Sequence, residues 1–263
     1  MFILRDTKKI SKFLKGESLI VEQIKKLTKI INESNNIVFF GGAGVSTESG
    51  IKDFRGKNGI YTNAKINDPR LTPEYLLSAT CLYHEPEKFF YNFRRNMDFR
   101  NAQPNITHKY LKKLEDSGKL SAIVTQNIDG LHQKAGSSNV LEIHGTVEIC
   151  HCMKCKKEYP GNKLYELIDI PRCECGGILR PDIVLYEETL PEAFGLASKY
   201  ISKADVLIVG GTSLTVQPAS GLVNLYRGKN LIIINDSETP YDFMAELVIH
   251  DLLGKVFSYL YDV

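Results

Sequence analysis

Five of the six cysteines fall within 26 residues, and four of them have the spacing of metal ligands. Two residues separate Cys152 from Cys155, one separates Cys173 from Cys175, and 17 lie between the two pairs. Four thiolates can close a tetrahedral zinc site and leave no open position, so the pattern predicts structural rather than catalytic zinc. Cys150 is near enough to compete for a place, and a free-standing nucleic-acid-binding zinc ribbon is the alternative interpretation.

A glycine-rich loop near the N-terminus could bind a dinucleotide. Gly42, Ala43 and Gly44 follow a short apolar run and would let the backbone approach a pyrophosphate, and a following helix would offer free N–H groups. The third glycine comes only at Gly50, and Thr62 stands where a dehydrogenase would carry an acidic ribose ligand. The loop therefore predicts dinucleotide binding but does not match an ordinary dehydrogenase.

Polar residues also follow two other apolar runs. Asn127 and Asp129 lie in the segment QNID, and His144 ends the run VLEIH. In a doubly wound sheet, ligands bind at the carboxyl ends of the strands, and a histidine there can act as a general base near neutral pH. A loop asparagine is more often a turn residue, and a single strand-end histidine is more often structural. Residue type alone leaves both interpretations open.

Elements that could position these residues are visible in the hydrophobic pattern. Residues 18–33 have the apolar spacing of an amphipathic helix, which feeds a buried strand. Further short apolar runs, bounded by glycine, asparagine or aspartate, predict buried parallel strands. The predicted strands are residues 37–40, 121–125, 140–143, 183–186, 206–210 and 231–235.

The predicted fold class is α/β, a doubly wound parallel (Rossmann-like) sheet with a smaller zinc-binding and helical domain formed by insertions. Residues 18–55, 106–145 and 181–263 form the sheet domain in this division. Residues 56–105 are a helical insertion and residues 146–180 a zinc ribbon. The cleft between the two domains is the expected ligand site.

Composition limits the classes of partner. The chain has 263 residues, 33 Lys and Arg, 31 Asp and Glu, and a net charge of +2, which gives no electrostatic reason to expect nucleic acid or a membrane surface. Four apolar residues precede the first charge, too few for a signal peptide, and no run approaches the length of a membrane span. We expect a cytoplasmic protein, or a nuclear one if the cell has a nucleus.

The order of the motifs resembles that of the sirtuins, NAD-dependent protein-lysine deacylases. The resemblance runs from about residue 20 to the C-terminus. Two departures are Lys52, where the family usually has proline, and Tyr186-Glu187-Glu188, where Phe-Gly-Glu is commoner. The motifs that carry the resemblance are GAGVSTESGIKDFRG, TQNIDGLHQKAG, HG at 144–145, CMKC, RPDIVLYEE, GGTSLTVQPA and IIIN.

The resemblance implies a full set of functional residues. NAD is then a consumed co-substrate, His144 is the general base, Asn127 assists at the ribose, and Phe54 and Arg55 lie in a lid over the cofactor. The four zinc ligands are Cys152, Cys155, Cys173 and Cys175, and the family register leaves Cys150 out. The implied NAD-binding residues are Gly42, Ala43, Gly44, Ser46, Thr47, Asp53, Phe54, Arg55, Gln126, Asn127, Ile128, Asp129, Gly211, Thr212, Ser213 and Asn235.

On the substrate side, the resemblance implies an acyl-lysine peptide that adds as a strand between two edges, with nicotinamide and O-acyl-ADP-ribose as products. Val184, Tyr186, Glu188 and Val216 form the edges, and Glu187 would favour basic peptides. Tyr91 and Arg94 match a Tyr-x-x-Arg element of sirtuins that remove succinyl and malonyl groups, in which arginine pairs with the distal carboxylate. The alternative is a plain amphipathic helix with solvated Arg94.

Two other functions are compatible with much of this pattern. One is a protein mono-ADP-ribosyltransferase, which shares the first half-reaction, and the other is a non-enzymatic NAD-binding zinc scaffold. His144 favours deacylation over ADP-ribosyl transfer, because a base is needed for the acyl-transfer half, and the complete set of implied catalytic residues argues against the scaffold. Residues 1–15 carry no structural prediction.

Overall fold

The structure is a computed structural model of the chain and describes residues 7–54, 56, 59–60, 71–166 and 169–261. Within these ranges there are two sheets, eight α-helices and several short 3-10 helices. The strands are β1 (Ile37–Gly41), β2 (Leu120–Thr125), β3 (Val140–Glu142), β4 (Gly145–Cys152), β5 (Glu158–Pro160), β6 (Leu179–Ile183), β7 (Val206–Gly210), β8 (Asn230–Ile234) and β9 (Leu247–Ile249). The α-helices are α1 (Thr7–Glu33), α2 (Pro73–Leu76), α3 (Ala79–His84), α4 (Pro86–Asn96), α5 (Ile106–Asp116), α6 (Leu131–Lys134), α7 (Glu192–Lys203) and α8 (Leu253–Tyr261).

The larger sheet is parallel throughout, with strand order β3-β2-β1-β7-β8-β9. The chain builds outward from β1 to β3 and later returns to place β7 on the other side of β1. The junction of β1 and β7 is therefore the topological switch point, where ligands bind in this architecture. Gly41 and Gly210 are paired at its carboxyl end.

Both faces of this sheet are buried, which explains the uninterrupted apolar runs. Alternate side chains of β1 enter different cores, with Phe39 among residues of α1, α5 and α8, and Phe40 among residues of α7 and the 3-10 helix Ala219–Leu225. The edge strand β9 is covered by α1, since Gln23 Nε2 donates to Val248 O at 2.8 Å. No helix in the described part of the chain is long and apolar enough to cross a membrane.

The smaller domain combines the helical insertion and the cysteine-rich segment around one apolar core. Its sheet is antiparallel, with order β5-β4-β6. Helix α4 begins at Pro86 and buries Phe89, Phe90 and Phe93 against side chains of this sheet. The predicted fold class is confirmed, while the exact domain boundaries stay a prediction.

Three details of the sequence prediction differ from the structure. The run at 183–186 is not a strand of the parallel sheet, because β6 ends at Ile183 and pairs with β4 in the antiparallel sheet. Strand β9 has only three residues and was not predicted. Helix α1 begins at Thr7, before the predicted start at residue 18. An apolar run in a sequence indicates that the segment is buried. It does not indicate which sheet contains the segment or whether its strands run parallel.

Candidate functional site

Two glycine loops pack backbone to backbone at the switch point. The Gly44 N–H donates to Gly211 O at 2.8 Å, and a Cβ on Gly44 would lie 2.7 Å from Gly211 Cα. A Cβ on Gly42 would lie 2.8 Å from Thr212 Cβ. The glycines are therefore required for the contact between the loops, and Gly211 also has a φ of 60°.

The segment after Gly42 differs from the predicted helix start. Two three-residue 3-10 helices, Ala43–Val45 and Thr47–Ser49, follow β1 in place of an α-helix. The Val45 and Ser46 N–H groups are already used, because they donate to Gly42 O and Ala43 O. The helix expected after the glycine loop is therefore not an α-helix, and the Val45 and Ser46 N–H groups are not free.

Ser46, Asn127 and Asp129 form a buried hydrogen-bonded cluster at the carboxyl ends of β1 and β2. Ser46 Oγ donates to Asp129 Oδ2 at 2.6 Å and accepts from Asn127 Nδ2 at 3.1 Å. The other Asp129 oxygen accepts from the Leu131 N–H at 3.0 Å. Burial raises the pKa of Asp129, and the hydrogen bond from Ser46 acts in the opposite direction. These hydrogen bonds fix the orientation of the three polar side chains.

His144 lies between β3 and β4, with its ring fixed by the neighbouring strand end. Its Nδ1 is 3.0 Å from Gln126 O. A carbonyl oxygen can only accept, so Nδ1 carries the hydrogen and Nε2 keeps a lone pair. Burial lowers the pKa of His144 below its usual 6.5, and the bond to Gln126 O opposes that shift. A neutral imidazole with a free Nε2 lone pair is the form that a general base needs.

These groups share one cleft of about 550 Å³. The predicted residues that line it come from both glycine loops, the two strand ends and the segment after β6. They are Ala43, Gly44, Ser46, Thr47, Asp53, Phe54, Gln126, Asn127, Ile128, Asp129, His144, Val184, Tyr186, Glu188, Gly211, Thr212, Ser213, Val216 and Asn235.

Other predicted residues lie elsewhere. Gly42 is beneath the cleft wall, packed against Thr212. Arg55 falls outside the described residues. Tyr91 and Arg94 line a neighbouring cavity of about 1700 Å³ between the helical insertion and the cysteine-rich segment. The two cavities share part of their walls, including Ile51 and Lys52.

Arg94 connects helix α4 to the zinc ribbon. Its Nε donates to Leu164 O at 2.7 Å, and its Nη2 donates to Asp169 O at 2.6 Å. The guanidinium carbon is 5.4 Å from the centre of the Phe90 ring. Tyr91 is 69% exposed on the same helix. These contacts give Arg94 a structural role, and its predicted role toward an acyl carboxylate stays a prediction.

Sequence reasoning missed one end of the cleft. Asp236 and Ser237 follow β8, and Asp251 and Leu252 follow β9, and all four line the cleft. The rule that ligand-facing polar residues follow parallel strands would have found the first pair. It could not find the second pair, because β9 was not recognised as a strand.

Four cysteines converge as the spacing predicted. Their sulfur atoms lie within 4.8 Å of one another, with Cys152 Sγ 3.5 Å from Cys175 Sγ and Cys155 Sγ 3.6 Å from Cys173 Sγ. Such a group of thiols fits a closed tetrahedral zinc site. Cys150 is not in the group, and its Sγ is 3.5 Å from Pro160 O. The one-residue gap between Cys173 and Cys175 therefore does not prevent the four sulfur atoms from coming together.

The segment 184–188 forms one rim of the cleft and is held by its own side chains. Arg180 donates to both oxygens of Glu188, at 2.5 Å and 2.9 Å, and the Leu185 N–H donates to Glu188 Oε2 at 2.9 Å. The Val184 N–H donates to His144 O at 2.9 Å. The Glu188 carboxylate thus shapes the rim from within.

Comparison with known proteins agrees with this geometry. The model of the Sir2 family matches residues 42–218, which include both glycine loops and all four clustered thiols. The chain belongs to the Sir2 family. The resemblance to sirtuins stated from the motifs is therefore confirmed.

Relatives in the Sir2 family are similar over most of their length. An NAD-dependent protein deacetylase of Clostridium perfringens is 53% identical over 244 residues, covering 92% of this chain and 99% of that protein. One of Clostridium acetobutylicum is 52% identical over 241 residues, covering 90% and 98%. A Sir2 structure with a p53 peptide and NAD+ has a TM-score of 0.78 at 36% identity, covering 91% and 97%. A Sir2 homologue mutant with ADP-ribose has a TM-score of 0.81 at 37% identity, covering 89% and 94%.

Proposed function

We infer that this Sir2-family chain is an NAD-dependent protein-lysine deacylase that releases nicotinamide and O-acyl-ADP-ribose. The observation that carries the inference is His144, a neutral imidazole whose Nδ1 is bound to Gln126 O and which shares a cleft with the Ser46, Asn127 and Asp129 cluster. The Clostridium relatives, named NAD-dependent protein deacetylases, support the same activity.

His144 acts on a ribose hydroxyl in this mechanism. The acyl-lysine amide oxygen attacks the anomeric carbon of the nicotinamide ribose, and nicotinamide leaves. His144 then takes a proton from a ribose hydroxyl through Nε2, so that the 2'-oxygen can attack the acyl carbon; the lysine amine leaves and water adds to the same carbon, which gives free lysine and O-acyl-ADP-ribose. The ring needs no reorientation, because its bond to Gln126 O fixes the tautomer beforehand.

The Ser46 cluster binds the nicotinamide end of NAD. Asp129 accepts hydrogen bonds through both oxygens from the protein, which fixes its carboxylate beside the Ile128 backbone. An oriented amide and carboxylate at this position match the donor and acceptor of a carboxamide. Asn127 reaches the ribose from the same loop, with its side chain held by Ser46.

The second glycine loop and the end of β8 bind the adenosine half. Thr212 and Ser213 follow Gly211 on the cleft wall, and Thr212 Oγ1 accepts from Gln126 Nε2 at 3.1 Å. Asn235 is buried at the same wall, with Nδ2 donating to Ser237 O at 2.8 Å. These polar groups suit the hydroxyls of the adenosine ribose.

An acyl-lysine peptide binds along the rim formed by residues 184–188 and by Val216. Main-chain pairing at such edges gives affinity with little sequence preference. The solved Sir2 structure with a p53 peptide and NAD+ supports a peptide ligand for this family.

Zinc holds the smaller domain together and takes no part in the reaction. Cys152, Cys155, Cys173 and Cys175 would supply all four ligands, so a bound ion contributes folding free energy and no open position. Cys152 and Cys173 belong to the same apolar core as the phenylalanines of helix α4.

The activity is tested by nicotinamide release from NAD in the presence of acetyl-lysine and succinyl-lysine peptides, with mass analysis of the products. Release that requires an acylated peptide, together with O-acyl-ADP-ribose, is the expected result. Transfer of ADP-ribose to protein would favour the ADP-ribosyltransferase alternative. NAD binding with no release from either peptide would favour the scaffold.

Preference for an acidic acyl group is a finer proposal. Arg94 and Tyr91 face a cavity that adjoins the NAD cleft, and a carboxylate there could pair with the guanidinium. Arg94→Met should then raise KM for the succinyl peptide about tenfold and leave the acetyl peptide within twofold. Arg227→Met is the matched control, because Arg227 is exposed and lines neither cavity. Equal effects of Arg94→Met on both peptides would contradict the acyl-preference role and would leave Arg94 a structural role, through contacts such as those to Leu164 O and Asp169 O.

A further inference from the structure

Glu187 has a backbone conformation that side chains other than glycine rarely adopt. Its φ is 77°, in the left-handed region, and it lies in the rim segment 184–188. Such a conformation is unfavourable for a residue with a Cβ and persists only when surrounding contacts hold it. The contacts that hold Glu187 in this conformation therefore indicate which part of the structure the rim segment is built to bind.

The Glu187 carboxylate binds the start of helix α3. Its Oε2 accepts from the Thr80 N–H at 2.9 Å and from Thr80 Oγ1 at 2.7 Å. The next N–H in the first turn of the helix, on Cys81, donates to Ser78 Oγ at 3.0 Å. One carboxylate oxygen thus receives two hydrogen bonds from a residue 107 positions away.

The backbone beside Glu187 reinforces the same junction. The Tyr186 N–H donates to Leu77 O at 3.1 Å, and the Ala79 N–H donates to Tyr186 O at 3.1 Å. The other end of the rim is hydrogen-bonded to the proposed general base, since the Val184 N–H donates to His144 O. Residues 184–188 therefore bridge the helical insertion and the position of the general base.

We propose that Glu187 is a positioning residue for the acyl-lysine substrate, which it serves by fastening the rim 184–188 to helix α3 through Thr80. With the rim fastened in this way, the edge that pairs with the peptide keeps a fixed position relative to His144. The edge is then ordered before the peptide binds, which lowers the entropic cost of binding. This proposal rests on the assignment of the rim as the peptide edge.

The geometry distinguishes this role from the sequence expectation that Glu187 attracts basic peptides. The carboxylate already accepts two hydrogen bonds from Thr80, which orient it toward helix α3. A fastening role predicts an equal loss for neutral and basic peptides when the carboxylate is removed. Direct charge attraction predicts a loss confined to the basic peptide.

The test is the steady-state kinetics of the full-length enzyme with NAD and two acetyl-lysine peptides, one with neutral and one with basic flanking residues. Glu187→Ala should raise the peptide KM about fivefold for both peptides and leave the NAD KM within twofold, because two hydrogen bonds to the rim are lost. Glu22→Ala, an exposed glutamate on α1, is the control and should change neither KM.

Thr80→Val identifies the partner. It removes the hydroxyl donor and keeps the N–H, so it should raise the peptide KM about twofold in the wild type and add nothing in the Glu187→Ala background. Glu187→Gly should unfold at a higher temperature than Glu187→Ala, because glycine relieves the left-handed strain at 187.

The outcomes separate the proposal from the function beneath it. An active wild type with an unchanged peptide KM in Glu187→Ala overturns the fastening role, as does a loss restricted to the basic peptide or an additive effect of Thr80→Val. A wild type that releases no nicotinamide with either peptide overturns the peptide assignment, and the fastening role with it.

Discussion

Acid should destabilise this protein through two buried histidines. His108 and His132 are 0% and 1% exposed, with ring centroids 4.8 Å apart. The Asn105 N–H donates to His108 Nδ1 at 3.2 Å, so this nitrogen must keep its lone pair. Neither ring nitrogen of His132 has a hydrogen-bond partner among the described residues. Both rings are therefore held in the neutral form.

The magnitude follows from the pKa values. Burial lowers the pKa of His108 from 6.5 to about 4 and that of His132 well below 6.5. Because the folded pKa is depressed, the unfolded chain binds more protons, and the stability is complete above about pH 6.5 and falls as the pH drops toward 4. Between pH 7 and pH 5 His108 alone should remove about 2 kcal/mol from the free energy of unfolding, and His132 should add to the loss in the same direction.

Urea unfolding at pH 7 and pH 5 measures this loss, and the variant His108→Gln isolates one share of it. Glutamine can keep the capping contact to Asn105 but cannot titrate. The variant should lose about 2 kcal/mol less than the wild type between the two pH values, while other titrations, including any at the zinc ligands, cancel in the comparison. His84→Gln, at an exposed position, should lose as much as the wild type. Equal losses in His108→Gln and the wild type would refute the reasoning.

Three further results are expected. Cys173→Ser should abolish zinc binding in metal analysis and destabilise the protein by several kcal/mol, whereas Cys150→Ser should keep one zinc per chain; zinc loss in both would contradict the four-thiol assignment. Gly44→Ala should destabilise by about 2 kcal/mol or more in urea unfolding, because its Cβ would be 2.7 Å from backbone, whereas Gly195→Ala meets nothing within 4 Å and should not destabilise. Ser46→Ala should raise the KM for NAD about tenfold by removing a hydrogen bond to a buried carboxylate, and an unchanged KM would detach this cluster from NAD.

Local patterns predicted much of the fold. Strand β7 coincides with the predicted run, and β1 extends its run by one residue, because both are fully buried and read as continuous apolar segments. Strand β9 was too short to detect, and the run at 183–186 was assigned to the wrong sheet. Burial is visible in a sequence, whereas strand pairing depends on residues far away in the chain.

The same limit applies to the site. The cysteine pairs could be recognised from spacing alone, because their ligand geometry is local. The bond between Ser46 and Asp129 joins positions 83 apart, and that between Thr80 and Glu187 joins positions 107 apart. No spacing rule predicts such contacts, so only the folded chain reveals that Glu187 is engaged by helix α3.

The most direct test of the central claim separates the two half-reactions in His144→Gln. The wild type, given NAD and an acetyl-lysine peptide, should both exchange labelled nicotinamide and form O-acetyl-ADP-ribose. His144→Gln should form that product at least about a hundredfold more slowly yet keep peptide-dependent exchange, because the base acts after nicotinamide leaves. His151→Gln, a histidine outside the cleft, should retain both reactions. Undiminished O-acetyl-ADP-ribose formation by His144→Gln would contradict the account.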